Sequence, residues 1–227
     1  MNERTYVGID VECFQPRKWK SIGIVVVTYP SGRIVDSMEI GTQHSDVSKT
    51  CQEFWDRHPK SFEYNVALGH GTDSDAQECI MCTFLERILT VYPHTFILSD
   101  NPSLDIAVVE DIFQRKMNRS MLVRNDRFYP VVDTWSARMT LQSVIGRMIP
   151  QNTTCTRDVT LIWNNAETID HTPRMDAYKV VSRYFSVLDT SASIKDSIRT
   201  SKTAHYRTKH RRRESGLDGI DWNIHST

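Results

Sequence analysis

The sequence predicts an α/β domain, a mixed sheet with an antiparallel edge and helices on its faces. Three observations lead there. Three apolar, β-branched runs follow one another between residues 5 and 40. After them, segments with helical spacing alternate with short apolar runs. A hydrophobic content of 39% with 25% charged residues is that of a soluble globular protein. At 227 residues, one domain followed by a tail is the simplest organisation.

Residues 5 to 11 read as the first strand. "SIGIVVVTY" (21 to 29) reads as a strand covered on both faces, because its apolar run hardly alternates. "PSG" at 30 to 32 is a turn, and "RIVDSMEI" (33 to 40) sets Ile34, Met38 and Ile40 on one face. These three strands form an antiparallel meander. Residues 47 to 57 read as a short helix ending near Pro59, and Asp73 to Val91 as a longer one with caps available at Thr72 to Ser74. "HTFILSD" (94 to 100) is a strand stopped by Asn101-Pro102, and a helix follows from Leu104 to Met117 with Ser103 as its expected cap. Another short strand at 128 to 134 leads into a helix over about 135 to 147. "VTLIW", inside residues 150 to 170, is compatible with either strand or helix. Thr172 and Pro173 open a last helix, in which Met175, Tyr178, Val181, Phe185 and Leu188 keep helical spacing until it fades near Ser191.

Composition excludes several classes. No stretch approaches the ~20 apolar residues of a membrane span, and no basic-then-apolar leader opens the chain. No membrane partner is therefore expected, and the location is read as intracellular. Five cysteines without dense spacing argue against a disulfide framework. Cys79-Ile-Met-Cys82 has zinc-like spacing but no second ligand pair, and both thiols read as buried in a helix. The formal net charge of zero hides an uneven distribution: "RTSKTAHYRTKHRRR" (199 to 213) holds seven Lys or Arg and no acid. Such an arm favours phosphate backbones.

One feature of the first strand concerns chemistry. Asp10 and Glu12 stand two positions apart, so they project from one face at ~7 Å separation. Two carboxylates in an apolar setting repel, and a basic side chain or a divalent cation must compensate them. A half-exposed strand face is the plain alternative. Asp105 follows a strand end at the start of a helix, where an acid is also electrostatically harmless. His171 precedes the last helix, and Asp176 lies in its first turns. An imidazole with an ordinary pKa of about 6.5 suits deprotonating water near neutral pH, although a histidine in a loop is commonly just solvated.

Asp10-x-Glu12, Asp105 after "SDNPSL", and His171 followed by Asp176-Ala177 resemble the three motifs of the DEDDh 3'-5' exonucleases, in the ribonuclease-H-like superfamily that includes ribonuclease T and the proofreading exonucleases. "PVVDTWSA" and "CQEFWDRHP" resemble further family segments, the latter in phage-type relatives, and the resemblance covers about residues 5 to 190. It implies a ribonuclease-H-like fold with two Mg2+ or Mn2+ held by Asp10, Glu12, Asp105 and Asp176, and His171 as general base. It also implies nucleoside monophosphates released from single-stranded DNA or RNA 3' ends. Cys13 departs from the pattern, standing where Thr or Ser is frequent. Families of this type are often homodimers.

Other residues are weighed beside these. Asp100 reads as a local hydrogen-bonding residue by the Asn101-Pro102 turn, and Asp133 as a helix-start residue. Phe14 either packs or contacts a terminal nucleotide, and its place directly after the acid pair favours the contact. Trp55 either stacks on a base or packs its own helix. The arm, with Arg207, Lys209, Arg211, Arg212 and Arg213, reads as a phosphate-binding tail over 191 to 227, mobile without nucleic acid; a nuclear address or a solvated end are its other readings. The exonuclease domain would span 1 to 190. Two rivals stand beside the exonuclease: a catalytically inactive nucleic-acid-binding module and a ribonuclease-H-like endonuclease.

Overall fold

The structure is a computed structural model. It describes residues 3–16, 18–44, 46–124, 127–145 and 171–214, with the side chains of 144–145 and 201–214 outside that description. The expectations for residues 150 to 170 lie outside the described residues.

Three long strands open the chain: β1 (Arg4–Gln15), β2 (Lys18–Tyr29) and β3 (Ile34–Gly41). They pair antiparallel, with Asp10 opposite Gly23 and Ile24 opposite Met38. Helices α1 (Lys49–Arg57), α2 (Pro59–Leu68) and α3 (Ser74–Val91) follow, then β4 (Phe96–Ser99) and α4 (Asp105–Met117). A small ribbon of β5 (Val123–Arg124) and β6 (Arg127–Phe128) precedes β7 (Val131–Asp133) and α5 (Thr134–Ile145). The last described element is α6 (Pro173–Glu214). In the five-stranded sheet the order is β3-β2-β1-β4-β7, and β4 runs parallel to both β1 and β7. The meander and the mixed sheet are as the sequence predicts.

Pro59 does not simply end α1 but occupies the first position of α2, where its missing N–H costs nothing. Ser103 is not the cap of α4; its hydroxyl donates to Asn101 Oδ1 at 2.7 Å. The main apolar core lies on one side of the sheet, where Val7, Ile9 and Val11 of β1 meet Met81, Leu85 and Ile88 of α3 and Val109 and Ile112 of α4. The opposite face of β1 carries Gly8, Asp10 and Glu12, since side chains alternate along a strand.

Residues 1–187 form one compact unit and 188–227 a second. Helix α6 continues to Glu214, well past the loss of apolar spacing near Ser191. Apolar periodicity reports a buried face, not helicity, and no glycine or proline interrupts 174–213. The expected domain boundary near 190 thus falls within a helix. No helix among the described residues is long and apolar enough to cross a membrane.

Candidate active site

Asp10 and Glu12 reach the site because β1 is the central strand, flanked by β2 and β4. The register shifts just after Glu12, between Glu12 and Cys13 and again before Gln15, so regular pairing ends at the second acid. Oδ2 of Asp10 is buried without a hydrogen-bond partner. Burial, then repulsion from Glu12, Asp176 and Asp105, pushes the Asp10 carboxyl well above the ordinary carboxylate range. Glu12 is pushed up to about 8 by burial and by Asp176 and Asp105.

Asp105 opens α4 and is buried. Its Oδ2 accepts a hydrogen bond from the Ser99 hydroxyl at 2.5 Å, and backbone N–H groups of Asn101 and Val11 also serve it. Burial raises this carboxyl to about 6, with those donors working against the rise.

Glycines decide where the last acid stands. A Cβ on Gly8 would lie 2.3 Å from the carbonyl oxygen of Ala177, and one on Gly23 would lie 2.0 Å from the carbonyl carbon of Pro173. The first turns of α6 therefore lie directly on the strand pair that bears Asp10, and Asp176 comes with them. Burial would raise Asp176, but hydrogen bonds from His171 and Lys179 hold it below the usual carboxylate value.

His171 takes a left-handed backbone conformation at φ 56°. Its carbonyl accepts from the side-chain amide of buried Asn65 at 3.0 Å, and Asn65 in turn accepts from the Ser21 hydroxyl on β2. The imidazole packs edge-on to Phe54 and His58, with ring centroids 4.8 and 4.4 Å away. Nδ1 faces Asp176 Oδ2 at 3.5 Å. One potential ligand atom each from Glu12, His171 and Asp176 lies within 4.8 Å of the others.

An orphaned carboxylate oxygen beside three further acids is a donor set suited to a hard divalent cation such as magnesium or manganese. The residues fit that group. The sheet-and-helix frame around them has known counterparts. The chain shares its fold with E. coli exonuclease I. A structure of exonuclease I in complex with a 5cy-dT13 oligonucleotide matches at a TM-score of 0.53 and 14% sequence identity, over 97% of this chain and 46% of that one. A product-bound exonuclease I structure matches at 0.49 and 17%, over 97% and 49%. This chain spans about half the length of the exonuclease I chains it matches. No protein-family model matches the sequence, and no curated protein does.

Within the exonuclease I-like fold, two of the expected nucleic-acid contacts are corrected. Phe14 is fully buried, stacked on Phe62 with centroids 5.0 Å apart, and cannot meet a nucleotide. Trp55 is buried against Phe14, and its indole N–H donates to the Cys13 carbonyl at 3.3 Å, so of its two readings packing is the one realised. Each lies on the side of its element that faces other apolar rings, a matter of packing that strand or helix spacing leaves undecided. The side chains of Arg207, Lys209, Arg211, Arg212 and Arg213 lie outside the described residues.

Asp133 caps α5 by accepting from the Ser136 N–H at 2.9 Å. Asp100 is not a local turn residue: it accepts from the Thr134 hydroxyl and pairs with Arg183 of α6. Cys82 is buried but Cys79 is exposed, so the two thiols do not share an environment. Sequence reading misses Lys179, whose ammonium sits 2.7 Å from Asp176 Oδ1, and Arg183, which senses the charge of Asp10. Their spacing, three and seven residues after Asp176 on one helix, is the signal that could have found them. Phe54, His58 and Asn65 carry no such signal, because Asn65 and His171 are 106 residues apart.

Proposed function

We propose that this chain is a metal-dependent 3'-5' exonuclease that hydrolyses the terminal phosphodiester of single-stranded DNA or RNA and releases nucleoside 5'-monophosphates. The convergence of Asp10, Glu12, Asp105, Asp176 and His171 on one end of the sheet carries this reading. The fold shared with exonuclease I, one structure of which holds an oligonucleotide, supports it.

In this reading Asp10, Glu12, Asp105 and Asp176 hold the cations. Bound Mg2+ or Mn2+ would supply charge neutralisation and Lewis acidity at the phosphodiester. His171 takes the proton of the attacking water at Nε2, since Nδ1 is turned toward Asp176. The Phe54 and His58 rings and the Asn65 amide hold the imidazole in that orientation. As the water oxygen bonds to phosphorus, the bond to the 3' oxygen of the penultimate nucleotide breaks, that oxygen takes up a proton from solvent, and the His171 imidazolium returns its own proton to solvent. The basic segment 199 to 213 serves as a phosphate-binding tail.

Oligonucleotides labelled at the 5' or the 3' end, incubated with Mg2+ or Mn2+ and with chelator, test the reading. A ladder shortened from the 3' end that vanishes with chelator and in Asp10→Ala is expected. Tight binding without cleavage would overturn it in favour of a binding module, and internal cuts in favour of an endonuclease.

A further inference from the structure

Both carboxylate oxygens of Asp176 have a nitrogen neighbour inside the protein. Oδ2 faces His171 Nδ1 at 3.5 Å, and Oδ1 accepts from Lys179 Nζ at 2.7 Å. A divalent cation that uses Asp176 competes with the Lys179 ammonium for the charge of this carboxylate.

The two are not equally free to move. The His171 carbonyl is tied to Asn65, its backbone is fixed in the left-handed region, and its ring is wedged by Phe54 and His58. Lys179 ends a flexible four-carbon stem, and its side chain is 37% exposed. The lysine is therefore the partner that yields. Its charge also opposes the burial and mutual repulsion that bear on Asp10 and Glu12, so it neutralises the cluster and not Asp176 alone.

We propose that Lys179 is an exchangeable counter-ion of the acid cluster: its ammonium balances the carboxylates until a divalent cation takes its place on Asp176, and it thereby sets the metal affinity of the site. This rests on the metal-binding part of the function proposed above, but not on catalysis. Lys179 acts here as a positioning residue, ordering the acids before loading and keeping the site weak enough to exchange its cation.

Calorimetric titration of the full chain with Mn2+ alone, after chelator treatment, tests the exchange. Removing one opposing charge-assisted contact in Lys179→Met should tighten Mn2+ binding about tenfold, while Lys179→Arg, which keeps the charge, stays close to wild type. Equal or weaker Mn2+ binding by Lys179→Met would overturn the proposal. A second measurement needs no variant: acetylation of Lys179 in the wild-type chain, followed by mass spectrometry, should quicken several-fold on adding Mn2+. An unchanged rate, or no Mn2+ binding by any form, counts against the exchange. Hydrolysis assays separate the two readings. Exchange without hydrolysis would sink the nuclease and spare Lys179, and hydrolysis with a Mn2+ affinity indifferent to residue 179 would do the reverse.

Discussion

Asp10 concentrates the cost of the site in one side chain. Its Oδ2 is buried with no partner, and burial and three neighbouring acids raise its carboxyl. Asp10→Asn removes the ionisable group at nearly constant shape, and with it the cost of charging that buried oxygen as pH rises. The variant should melt a few degrees higher than wild type in chelator, where a gain of about 1 kcal/mol is worth roughly 2 to 4 °C, and should lose Mn2+ stabilisation. Differential scanning calorimetry with and without Mn2+ checks both. The same cause gives a pH dependence. Glu12 rises from an ordinary 4.5 to about 8 and Asp105 from 3.8 to about 6, so the folded chain keeps protons that the unfolded chain has released. For a raised carboxyl the stabilising contribution is complete below the unfolded value and is lost as pH climbs through the folded one. In chelator the melting temperature should fall between pH 4.5 and 8, and a flat profile would show that the acids are solvated. Trp55 behaves oppositely to a nucleotide contact. Trp55→Ala should cost about 3 to 5 kcal/mol of stability in urea unfolding, as expected for a buried aromatic.

At the scale of elements, the site depends on how closely α6 approaches β1 and β2. Gly8 and Gly23 set that distance, and a Cβ at either would meet backbone atoms of α6, which cannot rotate away as a side-chain tip could. Gly23→Ala should cost about 1 to 3 kcal/mol, the usual penalty of overpacking, and should weaken Mn2+ binding by moving Asp176 off its neighbours. Unfolding and Mn2+ titration on the same variant separate the two effects. Most elements were legible because each rests on a local period: two in β1 to β3, and three to four in α3, α4 and the start of α6. The ribbon β5–β6 was not, since two-residue strands have no period to read. The far end of α6 was missed for a different reason: its helicity needs no buried face.

For the whole molecule, charge is the lever. The formal charges cancel, yet a segment of seven Lys or Arg without an acid lies late in the chain. Deleting residues 199–227 should weaken binding to single-stranded oligonucleotides and flatten its salt dependence, as filter binding across a salt series would register, while leaving the proposed hydrolysis intact in an end-labelled oligonucleotide assay. The amino-acid sequence alone determined the meander and the alternation of helices and strands, because each of these is written in residues within a turn or two of one another, whereas Asp10, Glu12, Asp105, His171 and Asp176 are grouped only through a resemblance that spans far more of the chain. Only the tertiary structure decided that Phe14 and Trp55 are interior, that Lys179 and Arg183 answer the acids, and that Asn65 holds His171 across 106 residues of chain. Burial and charge compensation are set by groups that folding brings together, and spacing along a chain carries no record of them.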